Sequence, residues 1–487
     1  MISFCISLAV LILGYIVYGK FVESVFGPDD RITPSVAKAD GVDYIAMPNW
    51  KIFMIQFLNI AGTGPIFGAI MGAKFGPSAY LWIVLGCIFA GAVHDYLSGM
   101  LSIRNDGAAL PELVGKYLGG ATKKVMLVFS VLLLIMVGAV FVYSPAEILH
   151  SIGGSSTMWI IIIFIYYIIA TLLPVDKIIG RIYPLFAISL LFMALALMVV
   201  LFVKMPVLPE LWDGLGNKAA EVVPTWSDPI FPCLFITIAC GAISGFHATQ
   251  SPLMARCMKS ERAGRPIFYG AMITEGIVAL IWATVSAYFF YGDPTPGYQI
   301  IETARESGFS TSAPRVVHII CNDWLGIAGG ILAMLGVVAA PITSGDTALR
   351  SARLIIADAL KLDQHPIINR LYICVPVFVV SLALLLWQIG NPDGFNIIWQ
   401  YFGWSNQALS VFTLWTVTVF LAKAKKPYII TFLPALFMTT VCTTFIMVSK
   451  QALGLPLAIG YGIGVLACVV ACVWFFVWYN KNNKNNK

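Results

Sequence analysis

The chain has 487 residues, 59% of them hydrophobic and only 11% charged, with a mean hydropathy of +0.87 and a formal net charge of +6. A soluble domain carries nearer a quarter charged residues, so these values exclude a water-soluble globular protein and predict an all-α polytopic membrane protein. The basic surplus suits cytoplasmic loops and gives no reason to propose nucleic acid as a partner.

Apolar runs long enough to cross a bilayer, about 20 residues each, predict thirteen spans. In chain order they lie at 2–19, 51–74, 78–100, 124–147, 157–174, 181–203, 229–254, 266–291, 322–345, 369–389, 395–421, 427–448 and 455–478. The first, MISFCISLAVLILGYIVYG, lacks a basic leader and a small-residue cleavage site, and reads as a retained helix rather than a signal peptide. The ten cysteines form no CxxC pair and no zinc spacing; most read as small buried hydrophobes.

Lys and Arg sort unevenly between alternate loops. Of the 30, one set holds 24, including Lys20, Arg104, Lys177, Arg256, Arg350, Arg353, Lys423 and Lys487. The other set holds six: Lys74, Lys204, Lys218, Arg305, Arg315 and Lys450. Basic residues stay inside, which predicts an external N-terminus and a cytoplasmic C-terminus. The tail NKNNKNNK, within 479–487, reads as disordered.

Two spans are interrupted. The second carries NIAGTGPIFG at residues 59–68, and the seventh carries CGAISGFHATQSP at residues 240–252. Gly weakens a helix and Pro removes a donor, and lipid offers no water to satisfy the freed groups. The bland explanation is that Gly and Pro are common in membrane helices and permit close approach. The sharper one rests on spacing. The breaks are five spans apart, so the two segments run in opposite directions. This predicts a 5+5 inverted repeat, residues 51–203 (spans 2–6) and 229–421 (spans 7–11), flanked by residues 1–50 and by two helices within 427–478. Secondary transporters of this kind bind cargo at the midplane between half-helix ends. Asn59, Gly62, Thr63 and Gly64 are then expected to contact a substrate from one side, and Gly241, Ser244, Gly245 and His247 from the other.

Ionisable residues inside spans are costly and often functional. Glu275, deep in the eighth span, and Asp95, beside His94 in the third, are the first choices for proton coupling. Asp95 could instead pair with a basic loop. Asp346 could form an i,i+4 surface pair with Arg350. Thr343 and Ser344 are the candidates for a sodium site near the first break. Asn406 and Gln407 read either as interhelical glue or as pore-lining groups, and Trp399, Tyr401, Phe402 and Trp404 as an interfacial belt. No GxxxxGK[ST], HExxH or GxSxG motif is present, so neither a nucleotide motor nor a familiar hydrolase is expected.

Five stretches together resemble the carbon starvation protein A (CstA) family of bacterial inner-membrane transporters. They are IAGTGPIFGAIMGAKFGPSAYLWIVLGCIFAGAVHDYLSGMLSIRNDGAALPELV, FITIACGAISGFHATQSPLMARCM, RPIFYGAMITEGIVALIW, PITSGDTALRSARLIIAD and YFGWSNQALSVFTLW. The resemblance implies a secondary transporter, not an enzyme, in the bacterial plasma membrane. It would import short peptides or pyruvate during carbon starvation, with H⁺ or Na⁺ as coupling ion and no other cofactor. It places Ile60–Pro65 and Cys240–His247 at the family's two central motifs and His94–Asp95 at a polar–Asp pair. Longer members have two histidines where this chain reads Ile55-Gln56, and they carry further C-terminal spans. The readings kept beside it are a metabolite channel or sensor, and a sodium-coupled amino-acid transporter.

Overall fold

The structure, a computed structural model, describes residues 1–173, 179–218, 228–291, 313–391 and 394–485. Lys177, Arg305 and Lys487 of the charge pattern lie outside them. The described residues form helices and no strand. In chain order the helices are α1 (Ile2–Phe26), α2 (Asn49–Ile60), α3 (Gly64–Gly72), α4 (Ser78–Ile103), α5 (Leu110–Leu118), α6 (Gly120–Ile152), α7 (Ser156–Leu172) and α8 (Ile179–Lys204). They continue with α9 (Ile230–Thr237), α10 (His247–Ala255), α11 (Gly270–Tyr291), α12 (Ala313–Leu360, interrupted at Gly326), α13 (Ile367–Gly390), α14 (Gly394–Lys423), α15 (Ile429–Val448) and α16 (Leu457–Asn485).

Among the described residues, ten helices are long and apolar enough to cross a membrane, and the pair Asn49–Ile60 with Gly64–Phe75, bent by 44°, makes an eleventh. The expected fifth span is α7, a shorter apolar helix. The expected seventh is two short helices, α9 and α10, flanking a non-helical stretch at 238–246. Thirteen is reached only if these two are counted as crossings.

Two boundaries differ from expectation. The ninth span does not stop at residue 345; α12 runs on to Leu360. Arg350 and Arg353, assigned to a loop, are therefore fully buried helix residues. The tail expected to be unstructured continues α16 to Asn485, because adding a residue to a long helix is far easier than starting one.

The core is built around the interruptions. α3 lies against α11 and α10 against α4; α12 runs between α6 and α8, and α13 lies on α6. Prolines inside these helices free carbonyls that lipid cannot satisfy. Pro145 in α6 frees the carbonyl of Phe141, and the buried hydroxyl of Tyr167 donates to it at 2.7 Å and to Pro341 O at 3.1 Å. A π-turn at Cys87–Gly91 widens α4 one turn before His94. Gly91 faces the carbonyl of Ala242, which an added Cβ would approach to 2.2 Å, so only glycine admits the second interruption here.

Candidate functional site

The first break, at Ala61–Thr63, follows from its residues. Gly62 and Gly64 lower helix propensity, and Pro65 sits in the first turn of α3, where its missing N–H costs nothing. The end of α2 leaves carbonyls without helical partners. Ser344 Oγ on α12 donates to Leu58 O at 3.1 Å and to Asn59 O at 2.9 Å. Ser344 thus reaches the first break. Thr343 instead donates back to Ala339 O and Ala340 O of its own helix.

The second break turns at Gly241, whose φ of +90° strains any other residue. Its freed groups are met by side chains from outside. Asn406 Oδ1 accepts from Phe246 N at 2.7 Å and from Ser244 Oγ at 3.0 Å, and Asn406 O accepts from Gly245 N. Gln407 Nε2 donates to Phe235 O and Trp82 Nε1 to Ile238 O, each at 2.8 Å. Asn406 and Gln407, left open between glue and pore, therefore brace the unwound segment.

The two breaks touch. A Cβ on Gly64 would lie 2.3 Å from Cys240 Sγ. Gly245 is pressed on the backbone of α14 and Gly241 on Ala279. The glycines expected to cradle a substrate through open backbone thus border neighbouring atoms in this conformation. A cavity of about 660 Å³ lies elsewhere, on an apolar face lined by Tyr18, Trp82, Phe89, Leu433 and Phe437.

What the breaks do assemble is a buried polar group. Asp95 is fully buried on α4. One of its oxygens lies 2.7 Å from His94 Nδ1 and the other 2.8 Å from His247 Nδ1. His247 is the first residue of α10, and its Nε2 lies 3.5 Å from Glu275 Oε2 on α11. The result is one continuous run, Glu275–His247–Asp95–His94, with every side chain sealed from solvent. Cys240 adjoins it: its Sγ, a His247 ring nitrogen and a Glu275 oxygen all lie within 4.8 Å of one another, close enough to share one cation. Asp95 is therefore not paired to a basic loop.

Both Glu275 oxygens, both side-chain atoms of Gln56 and Asn59, Thr63 Oγ1 and Gln250 Oε1 are buried without a hydrogen bond. Each such group costs roughly 1–3 kcal/mol, so they are not there for stability. The i,i+4 surface pair open to Asp346 and Arg350 does not form. Asp346 Oδ2 accepts from Tyr183 at 2.6 Å, while Arg350 turns to Asp43 and to the end of α7. The interfacial belt fails for Phe402, which is 2% exposed and meets Trp399 edge to face, Trp399 itself lying against Phe67. Gln250 lies within the second interruption and Gln56 at the Ile55-Gln56 position already noted, but Tyr167 and Tyr183 were missed, because single polar residues in apolar runs carry no spacing signal.

A family model described as carbon starvation protein CstA matches residues 1–152, 141–306 and 299–445. The chain belongs to the carbon starvation protein CstA family. An uncharacterized membrane protein of Haemophilus influenzae is 48% identical over 63% of this chain and 94% of its own. The peptide transporter CstA of Bacillus subtilis is 27% identical over 97% of this chain and 94% of its own. The pyruvate/proton symporter BtsT of Escherichia coli is 26% identical over 93% and 81%. Among solved structures, a manganese transporter of Eremococcus coleocola superposes with a TM-score of 0.55 at 12% identity, over 92% of this chain and 99% of its own; this is a likeness of fold alone. As a CstA-family protein the chain is a multi-pass membrane transporter and not an enzyme.

Proposed function

We propose that the chain is a secondary transporter that couples proton movement to import of a small carboxylate such as pyruvate, or of short peptides, by alternating access. The observation that carries this is the buried run Glu275–His247–Asp95–His94. It joins the second break to α4 and α11, where a proton can pass between carboxylate and imidazole without meeting lipid. Asn59, Thr63 and Ser244 on the breaks are the side chains offered to a polar cargo, and Gln56 and Gln250 join them. Gly62, Gly64, Gly241 and Gly245 supply the close approach between breaks, and their backbone would meet cargo only after the breaks part. Glu275 and Asp95 are the coupling carboxylates. If sodium couples instead, Ser344 with Thr343, beside the carbonyls of Leu58 and Asn59, is the place for it.

The contacts support a 5+5 inverted repeat across 51–203 and 229–421. The second half of the first broken span lies on the eighth span, and that of the second broken span on the third. The fourth span meets the ninth, the fifth meets the ninth, and the tenth meets the fourth. Each contact is carried to another by a shift of five spans. The basic-loop asymmetry supports an N-terminus outside and a C-terminus in the cytoplasm of a bacterial plasma membrane. Relatives named as a peptide transporter and a pyruvate/proton symporter support this cargo class.

The test is an uptake panel in proteoliposomes, comparing pyruvate, amino acids and di- and tripeptides under imposed H⁺ or Na⁺ gradients. Accumulation above equilibrium that a protonophore abolishes supports the proposal. Purely downhill flux identifies a channel, and binding without flux a sensor.

A further inference from the structure

A second polar centre lies at one face of the helices, away from the breaks. Residues 27–48, between α1 and α2, fold back over it. Asp40 Oδ1 accepts from the backbone N–H groups of Val42, Asp43 and Tyr44 at 2.8, 2.9 and 2.8 Å. This turn drives the Asp43 side chain inward until the residue is only 3% exposed. There it accepts from Arg353 Nη2 at 3.1 and 3.2 Å and lies 3.5 Å from Arg350 Nη1. Arg256 is buried close by, paired to Asp358 at 3.3 Å and stacked 5.1 Å over the ring of Tyr44. Beyond Asp43 the segment is held by Asp29 N to Glu261, by the ion pairs Asp30–Arg262 and Lys38–Asp106, and by Ser35 Oγ to Met258 O, Met47 N to Cys257 O and Tyr44 OH to Asp106 O; the two ion pairs are exposed and individually weak.

The arginines are held independently of Asp43. Arg350 Nη2 donates to Ala170 O and Leu173 O, and Arg370 Nη1 to Leu172 O, capping the C-terminal carbonyls of α7. Arg353 Nη1 donates to Gln364 Oε1. Removing Asp43 would therefore leave a preformed pair of guanidinium groups, the arrangement that binds carboxylates through paired N–H donors. Arg350 Nε and Arg353 Nε are already buried without a hydrogen bond.

We propose that Arg350 and Arg353 form a second carboxylate site, which Asp43 occupies as a movable plug. When residues 27–48 lift, the two arginines receive the carboxylate of the cargo as it passes between the breaks and solution at this face. The cargo half of this inference rests on the carboxylate reading above; the plug half does not.

Cys257, buried beneath Met47, is the reporter. In a chain whose other nine cysteines are replaced, a membrane-impermeant maleimide presented to this face should label Cys257 slowly. Breaking a buried pair by removing one partner is strongly unfavourable, so Asp43→Asn should speed labelling about tenfold or more. The exchange Asp43→Arg with Arg353→Asp should slow it again, which a merely misfolded segment would not do. Labelling unchanged in Asp43→Asn overturns the plug. If Asp43→Asn does not fold, Arg353→Gln must give the fast labelling, and slow labelling there overturns it equally. For the site, Arg353→Lys keeps the charge but loses the fork. It should raise the KM for pyruvate leaving from this face about tenfold while KM from the opposite face holds; an unchanged KM overturns the site. A native chain that moves no carboxylate at all defeats the functional reading and the cargo half together, while Cys257 labelling still decides the plug.

Discussion

Glu275→Gln separates a coupling role from a structural one. The substitution is nearly isosteric, so it opens no cavity. Glu275 is fully buried, its oxygens make no hydrogen bond, and its polar neighbour is His247 Nε2 at 3.5 Å. Were both groups charged, Coulomb's law at an effective dielectric of 20 gives an attraction of about 5 kcal/mol. Burying two ions costs several kcal/mol each, so the pair contributes little net stability. A neutral amide forfeits the attraction together with the cost of burying the charge. Because His247 keeps Asp95 as its partner at 2.8 Å, no uncompensated charge is left, and we expect Glu275→Gln to unfold within about 1 kcal/mol of the native chain. Transport should respond very differently. For one proton per carboxylate, an inward gradient of about two pH units supports roughly 100-fold accumulation, since each unit is worth 1.36 kcal/mol. In Glu275→Gln the accumulation ratio should fall to about 1, while exchange of internal for external substrate persists. Thermal unfolding and gradient-driven uptake in the same proteoliposome preparation check both halves. Native accumulation by Glu275→Gln, or loss of the folded protein, would refute the reasoning.

Three further outcomes follow from named contacts. Asn406→Ala leaves the Phe246 N–H and the Ser244 hydroxyl buried without their acceptor, so it should cost about 1–3 kcal/mol, measured by thermal unfolding, with Asn406→Asp milder. Gly64→Ala drives a methyl into Cys240 and should cost about 1–3 kcal/mol by overpacking; adding Cys240→Gly should recover most of the loss, because the clash is with that side chain. Burial opposes the charge of Asp43, but Arg353, Arg350 and Arg256 outweigh it and hold its carboxyl below the usual carboxylate range. A depressed carboxyl stabilises the fold above its unfolded value of about 3.9, and that stability is lost only as pH falls below it. Because the thiolate is the reacting form, labelling of Cys257 is read relative to a fully exposed thiol at the same pH; that ratio should stay low from about pH 5 to 8 and rise only in stronger acid.

The sequence was informative where the physics is local. Apolar length exposed the long helices, and the Gly and Pro at 62, 64, 65 and 241 marked both breaks. It was uninformative where contacts are distant. Nothing near Asp95 in the chain shows that His247, 152 residues on, will face it. Asn406 could not be told from a pore residue until the unwound segment lay beside it. The glycines misled in one respect. A residue without a side chain serves an exposed backbone or a close approach equally well, and Gly64 against Cys240 is the latter here. Arg350 and Arg353 looked like loop charges because their partner, Asp43, sits more than 300 residues away in an unremarkable polar segment.

Proton entry coupled to substrate entry tests the central claim most directly. Proteoliposomes holding a trapped pH dye, with no imposed ion gradient, are given an outward-to-inward gradient of pyruvate or a short peptide. The account predicts acidification of the lumen, beyond that in protein-free vesicles, in step with substrate entry and absent in Glu275→Gln. Substrate entry with no change in lumenal pH, or entry that requires sodium, would contradict it.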